Sequence, residues 1–122
     1  MIRLLLADDD LNVRKGLRMR FAIEPDVEVV AEADDGAGAV QGSLGCGVDV
    51  VVMDFQMPRM DGLKATAEIR RSCPATAVVM LTMFDDPATR LRAQNAGVDG
   101  FVGKHEDTEV LLAAVRKAAL ER

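Results

Sequence analysis

VVVMDFQMPRMDG, residues 50–62, is the most informative stretch of this 122-residue chain. Its apolar, β-branched start predicts a buried strand that ends at the carboxylate of Asp54. A loop with Pro58 follows, and Asp61-Gly62 opens a helix. Ligands of open parallel sheets bind at the carboxyl ends of the strands. A carboxylate at this position is therefore a candidate ligand for a cation, a candidate nucleophile, or both.

The rest of the chain alternates strand and helix patterns in the same way. Mostly apolar runs predict strands at 2–7, 48–54, 77–82 and 100–103, and an alternating pattern predicts a half-buried strand at 27–33. Helix patterns with caps and stops occupy 11–22, 37–44, 62–72, 87–96 and 108–120, the second being weak because of its glycines. This order predicts an α/β fold, a (βα)5 doubly wound parallel five-stranded sheet in the flavodoxin-like order 2-1-3-4-5, with strands 1, 3 and 4 central.

Composition excludes several classes of function. The chain has 20 acidic and 15 basic residues, a net charge of −5 that disfavours direct contact with nucleic acid. No apolar run is long enough to cross a membrane, and Asp8 to Asp10 interrupt the N-terminal apolar run, which argues against a signal peptide. We therefore expect one cytoplasmic domain without membrane contact. Cys46 and Cys73 lack zinc-site spacing and are expected to be reduced thiols.

Five polar residues lie at or directly after the carboxyl ends of the predicted strands, and this topology brings them into one crevice: Asp8, Asp9, Asp54, Thr82 and Lys104. Two carboxylates about 4 Å apart repel each other by roughly 4 kcal/mol at an effective dielectric of about 20, so we expect a divalent cation between them. Oxygen ligands favour Mg²⁺. A metal beside a carboxylate, a hydroxyl and an ammonium suits a phosphoryl group. Asp54 would be the nucleophile that forms an aspartyl phosphate, with Thr82 and Lys104 binding the phosphoryl oxygens.

These motifs, in this order, resemble the receiver domain of two-component response regulators over essentially the whole chain. The resemblance is carried by Asp8-Asp9, residues 54–62, Leu81-Thr82 and residues 100–104. The details at 7–9, 81–86 and 96–101 are similar to the NarL/FixJ (LuxR-type) subfamily, whose receivers precede a helix-turn-helix DNA-binding domain.

The resemblance implies a phosphorylation-dependent signalling switch. Asp54 would accept a phosphoryl group from a sensor histidine kinase. Mg²⁺, or Mn²⁺ in its place, would be bound by Asp9, Asp54 and the backbone carbonyl of Gln56, with Asp8 acting through water. Thr82 would move toward the phosphoryl group and Phe101 would turn inward behind it, changing the surface of helix 4, strand 5 and helix 5.

The family pattern also implies what surrounds the switch. Gln56 and Met83 flank the acyl phosphate and are expected to tune access and dephosphorylation. We expect homodimerisation on phosphorylation. We also expect a C-terminal helix-turn-helix effector domain outside this chain, which would make the contact with DNA. Residues 1–122 would form a phosphoacceptor module that catalyses its own phosphotransfer and autodephosphorylation, without turnover of a separate substrate.

Two other functions remain open at this point. A Mg²⁺-dependent phosphohydrolase would also use Asp54 as nucleophile, but Gln56 stands where such enzymes need a general acid. A structural domain that no longer accepts phosphate would be expected to have lost Asp9, Asp54 or Lys104. Bland roles are predicted for Asp10 as a helix N-cap, for His105 as a surface residue, for Phe101 as a competing core position, and for Asp34, Asp35, Asp85 and Asp86 as solvated caps.

Overall fold

The computed structural model describes residues 1–83 and 86–122, except for the side chain of Cys46. Five parallel strands form one sheet in the order β2-β1-β3-β4-β5, which confirms the predicted fold. The elements are β1 (Ile2–Ala7), α1 (Leu11–Phe21), β2 (Val27–Ala33), α2 (Gly36–Cys46), β3 (Val50–Asp54), α3 (Gly62–Ser72), β4 (Ala77–Thr82), α4 (Pro87–Ala96), β5 (Gly100–Gly103) and α5 (Thr108–Glu121).

Two predicted boundaries are wrong by more than one residue. β3 begins at Val50 rather than at position 48, because the Asp49 carboxylate accepts the Arg3 amide N–H at 2.8 Å and regular pairing starts one residue later. α2 runs from Gly36 to Cys46 rather than from 37 to 44. Its glycines permit close packing, since a Cβ at Gly42 would lie 2.7 Å from the Leu5 Cδ1. Tertiary contact therefore outweighs the low helix propensity of glycine.

The core lies on both faces of the sheet. One layer packs α1 and α5 against the strands, with Phe21, Leu112 and Val115 almost fully buried. The other packs α2 and α3 against the opposite face through Ala39 and Ile69. The central strands are buried on both sides, as near-continuous apolar runs require.

An aspartate occupies the N-cap position of each of the five described helices, and the side chains of four of these aspartates form capping hydrogen bonds, Asp107 of α5 being the exception. The side chains of Asp10, Asp35, Asp61 and Asp86 accept backbone N–H groups in the first turn of α1, α2, α3 and α4. The prediction of a solvated Asp35 is wrong, since the residue is 6% exposed and its carboxylate also accepts a hydrogen bond from Arg59 Nε. The predicted cap at Asp85 falls outside the described residues.

Two smaller predictions concern surface chemistry. His105 is exposed, as expected. Cys73 is a free thiol, whereas the predicted state of the Cys46 side chain lies outside the described part of the structure. Within residues 1–83 and 86–122, none of the helices has the length and apolar character needed to cross a membrane.

Candidate functional site

Three carboxylates meet at the carboxyl edge of the sheet. Ala7 of β1 pairs with Met53 of β3, and this register brings the residues that follow, Asp8 and Asp54, side by side. One carboxylate oxygen from each of Asp8, Asp9 and Asp54 lies within 4.8 Å of the others. Asp8 is 3% exposed and Asp54 is 8% exposed, whereas Asp9 faces solvent. The predicted acidic cluster is therefore present, with two of its members buried.

Lys104 reaches this cluster from the end of β5. Its backbone N–H donates to the Thr82 carbonyl at 2.7 Å, which holds the start of the following loop against β4. Its Nζ lies 2.9 Å from Asp8 Oδ2 and 3.4 Å from Asp54 Oδ2. The ammonium thus bridges the two buried carboxylates.

The electrostatics of the cluster reflect this crowding. Burial and, secondly, the charge of Asp8 raise the pKa of Asp54 from 3.8 to about 6, although Lys104 opposes the rise. For Lys104 burial alone would lower the pKa, but the hydrogen bond to Asp8 and the charges of Asp54 and Asp8 outweigh it and raise the pKa. Lys104 therefore stays protonated at neutral pH, and Asp54 is ionised there against a substantial penalty.

The donor set fits a hard divalent cation. Among the residues that the structure describes, three carboxylates face one ammonium in this cluster, which gives the cluster an excess of negative charge. Oxygen ligands at this spacing suit Mg²⁺, which binds proteins through a few carboxylates and keeps part of its water shell. Asp8, Asp9 and Asp54 would hold such an ion, and it would neutralise charge on them and on a bound phosphoryl group.

The loop between β3 and α3 is held close to this cluster. Gly62 packs directly on the Asp54 backbone, where a Cβ would clash with the carbonyl oxygen and lie 3.0 Å from the carbonyl carbon. Arg59 has a left-handed φ of 66° and binds Asp35 at the start of α2. The side chain of Gln56, within this loop, is exposed. Packing on both sides thus fixes the path of the loop that carries the Gln56 carbonyl.

The remaining predicted residues lie at the same edge or next to it. Thr82 is 1% exposed and pairs with Gly103, which puts it beside the start of the Lys104 loop. Met83 follows it and is 72% exposed. Phe101 is half-buried against the layer of α2 and α3, and the Arg90 guanidinium of α4 lies 4.5 Å from its ring centroid. Phe101 is therefore neither a fully buried core residue nor a member of the carboxylate cluster.

Three contacts near the site are absent from the sequence-based prediction. Arg14 of α1 donates to the Asp8 carbonyl at 2.5 Å. Arg59 pairs with Asp35, and Arg92 of α4 lies over the Phe55 ring at 5.4 Å from its centroid. A basic residue one turn into α1 is a weak local signal for the first contact. The other two pairs join distant parts of the chain, and nothing in the local sequence indicates them.

Comparison with known proteins identifies the family to which the chain is similar. The response regulator receiver domain family matches residues 4–116. The transcriptional regulatory protein UhpA of Escherichia coli K12 is 39% identical over 119 residues, which cover 98% of this chain and 59% of UhpA. The chain thus spans little more than half the length of the curated relatives it matches.

Solved structures give the same result. The signal receiver domain of the NarL response regulator from Mycobacterium tuberculosis superposes with a TM-score of 0.94 at 32% identity, covering 99% of this chain and 98% of that one. A LuxR-family two-component response regulator from Aurantimonas sp. SI85-9A1 gives a TM-score of 0.93 at 35% identity, with 98% and 86% covered. With the fold, the acidic cluster and Lys104 in place, the chain belongs to the response regulator receiver domain family, among relatives of the NarL/LuxR type, and is a signalling module rather than a metabolic enzyme.

Proposed function

We propose that Asp54 is the phosphoacceptor of this receiver domain and takes a phosphoryl group from the phosphohistidine of a sensor histidine kinase. One observation carries the proposal. Three carboxylate oxygens lie within 4.8 Å of one another, and the Lys104 ammonium contacts two of these carboxylates. An Asp54 oxygen forms the new O–P bond as the P–N bond of the donor breaks. Ionised at neutral pH and destabilised by burial, Asp54 is suited to this role.

The other site residues take the roles that this transfer needs. Asp9, Asp54 and the Gln56 carbonyl would hold Mg²⁺, with Asp8 acting through water. Lys104 and the Thr82 hydroxyl bind the phosphoryl oxygens. The Lys104 ammonium supports this role because it already lies 3.4 Å from the Asp54 carboxylate. Bound Mg²⁺ supplies positive charge to the transferred group, so that catalysis is mainly positioning and electrostatic stabilisation.

Phosphorylation then changes the surface formed by α4, β5 and α5. The phosphoryl group adds about −1.5 to −2 charges, and Thr82 moves toward it while Phe101 turns inward. The half-buried position of Phe101 under Arg90 supports such a change, since the ring is not locked in the core. The altered surface promotes homodimerisation and controls a C-terminal helix-turn-helix domain that binds DNA in the cytoplasm.

Gln56 and Met83 set how long the signal lasts. Both side chains are exposed beside the strand ends that carry Asp54 and Thr82, which supports a role in the access of water and of small phosphodonors. Autodephosphorylation is the return step. A separate phosphohydrolase activity is disfavoured because Gln56 offers no acidic proton to a leaving group.

Incubation of the chain with Mg²⁺ and acetyl phosphate tests the proposal. Intact mass spectrometry should show one added phosphoryl group that hydroxylamine removes, and Asp54→Asn should show none. Asp61→Asn is the matched control, because asparagine keeps the cap on α3 and Asp54 is untouched. An unmodified parent, with both acetyl phosphate and a cognate kinase, would contradict the proposal. Multiple turnover of a generic phosphate ester would favour the phosphohydrolase instead.

A further inference from the structure

Arg14 connects α1 to the turn that carries the first two carboxylates. Its Nη1 donates to the backbone carbonyl of Asp8 at 2.5 Å, and only 14% of its side chain is exposed. A charge-assisted hydrogen bond from a mostly buried guanidinium is directional and stronger than a neutral one. The contact therefore restrains the orientation of the Asp8 carbonyl.

Glu32 of β2 holds Arg14 in place. One Glu32 carboxylate oxygen accepts from Arg14 Nε at 3.1 Å, and the other accepts from Arg18 Nη1 at 2.6 Å. Glu32 is in register with Leu6 of β1, two residues before Asp8. The guanidinium is thus fixed at one end by the edge strand and donates at the other end to the turn after β1.

The restraint passes from Asp8 to Asp9 through one peptide unit. Because the peptide group is planar, fixing the Asp8 carbonyl also fixes the direction in which the chain enters Asp9. The Asp8 side chain has its own partners, with Oδ1 accepting the Asp10 N–H at 2.9 Å and Oδ2 facing Lys104 at 2.9 Å. Arg14 restrains the Asp8 backbone in addition to these side-chain contacts. This backbone restraint helps to orient Asp9, which is exposed.

We propose that Arg14, held by Glu32, is a positioning residue for the Mg²⁺ site and sets its affinity by orienting the Asp8–Asp9 peptide. This inference rests on the proposed function, because it requires that Asp9 and Asp54 bind the ion. Arg14 touches none of the reacting atoms. It acts through the backbone of the turn, as outer partners of metal ligands commonly do.

The sign of one measurement separates positioning from simple electrostatics. Removing the positive charge of Arg14 near a cation site should tighten Mg²⁺ binding if charge alone matters. Removing a positioning contact should weaken binding, by about tenfold for a partner of this kind. Charge effects are also screened by salt, whereas the loss of a geometric restraint is not.

The test is calorimetric titration of the 122-residue chain with Mg²⁺. Arg14→Met should raise the Kd about tenfold. Arg18→Met is the matched control, since Arg18 shares Glu32 but has no contact with Asp8 among the hydrogen bonds described, and its Kd should stay within about twofold of the parent. For Arg14→Met, the rate of phosphorylation by acetyl phosphate at saturating Mg²⁺ should equal that of the parent. Only the Mg²⁺ concentration that gives half of this rate should be higher than in the parent.

An unchanged or lowered Kd for Arg14→Met overturns the inference. If Arg14→Met fails to fold, Glu32→Gln tests the same inference. This variant should raise the Kd for Mg²⁺ by a factor that persists at high salt. A rise in Kd that disappears at high salt overturns the inference. A parent chain that binds no Mg²⁺ overturns the proposed function as well. A parent that binds Mg²⁺ as tightly as Arg14→Met overturns the positioning role alone.

Discussion

Asp54→Asn should make the metal-free protein more stable at neutral pH, although it removes the proposed phosphoacceptor. Burial and the neighbouring Asp8 raise the pKa of the Asp54 carboxyl from 3.8 to about 6 in the folded chain. Each tenfold change in acid dissociation is worth about 1.4 kcal/mol, so the rise corresponds to about 3 kcal/mol of destabilisation once Asp54 is ionised. A buried asparagine amide loses part of this gain, and we expect an increase of about 1 to 3 kcal/mol in the free energy of unfolding.

The stability difference between Asp54→Asn and the parent should depend on pH. A carboxyl whose pKa is raised by folding binds its proton more tightly in the folded state. Its favourable contribution is therefore present below 3.8 and is lost as the pH rises to about 6. The advantage of Asp54→Asn should be complete at about pH 7.5 and fall below about 1 kcal/mol near pH 4.

Urea unfolding in the presence of a chelator measures this difference. Far-UV circular dichroism is the suitable signal, because the chain contains no tryptophan or tyrosine. Asp34→Asn is the control, since it also removes one carboxylate but that side chain is 69% exposed, and its effect should stay within about 0.5 kcal/mol. Mg²⁺ at about 100 times its Kd should then stabilise the parent by about 2.7 kcal/mol and the variant by less.

Two results would contradict this prediction about Asp54. The first is an Asp54→Asn variant no more stable than the parent at about pH 7.5 without metal, which would mean that the carboxylate is not under the strain that its burial indicates. The second is an advantage of the same size near pH 4, which would show that the gain comes from something other than ionisation.

Three further outcomes follow from the geometry around Asp54. Gly62→Ala should lower the free energy of unfolding by about 1 to 3 kcal/mol, because the added Cβ would clash with the Asp54 backbone. Gly16 in α1 has open space around it, so Gly16→Ala should be neutral or stabilising by about 0.5 kcal/mol. Chemical denaturation compares the two variants. At the left-handed Arg59, the glycine variant should exceed the alanine variant in stability by about 1 kcal/mol in the same assay, since both lose the pair with Asp35 and only glycine relieves the backbone. Lys104→Met should raise the pKa of Asp54 above about 6, so the pH at which stability stops falling should move upward in a pH series of unfolding curves.

The fold and the acidic cluster were predictable from the sequence for a physical reason. Strands buried on both faces give near-continuous apolar runs, and the alternation with helices imposes parallel pairing. Parallel pairing then brings the residues just after the strands to one edge of the sheet. Asp8, Asp54 and Lys104 are close because of this topology, and their proximity is therefore predictable without knowledge of side-chain conformations.

What the sequence could not predict depends on close approach between distant segments. Low helix propensity suggested a short α2, whereas the structure uses its glycines for contact with Leu5. Arg59 and Asp35 are 24 residues apart, and their pairing depends on how two loops happen to pack. The hydrogen bond from Arg14 is accepted by the backbone carbonyl of Asp8. Every residue has such a carbonyl, so the residue type at position 8 does not indicate this contact.

The cations around the site divide into two kinds, and the division bears on which one responds to phosphorylation. Arg14 is paired with Glu32 and Arg59 with Asp35, so each guanidinium is largely neutralised by a carboxylate outside the proposed ligand set. Lys104 is different, because both of its described ionic partners, Asp8 and Asp54, belong to that set. A phosphoryl group on Asp54 would offer Lys104 a new anionic partner while leaving the two arginine pairs intact. The proposed exchange of partners at Lys104 would therefore be the electrostatic change that connects Asp54 with β5. The arginine pairs would keep the surrounding loops in place during that exchange.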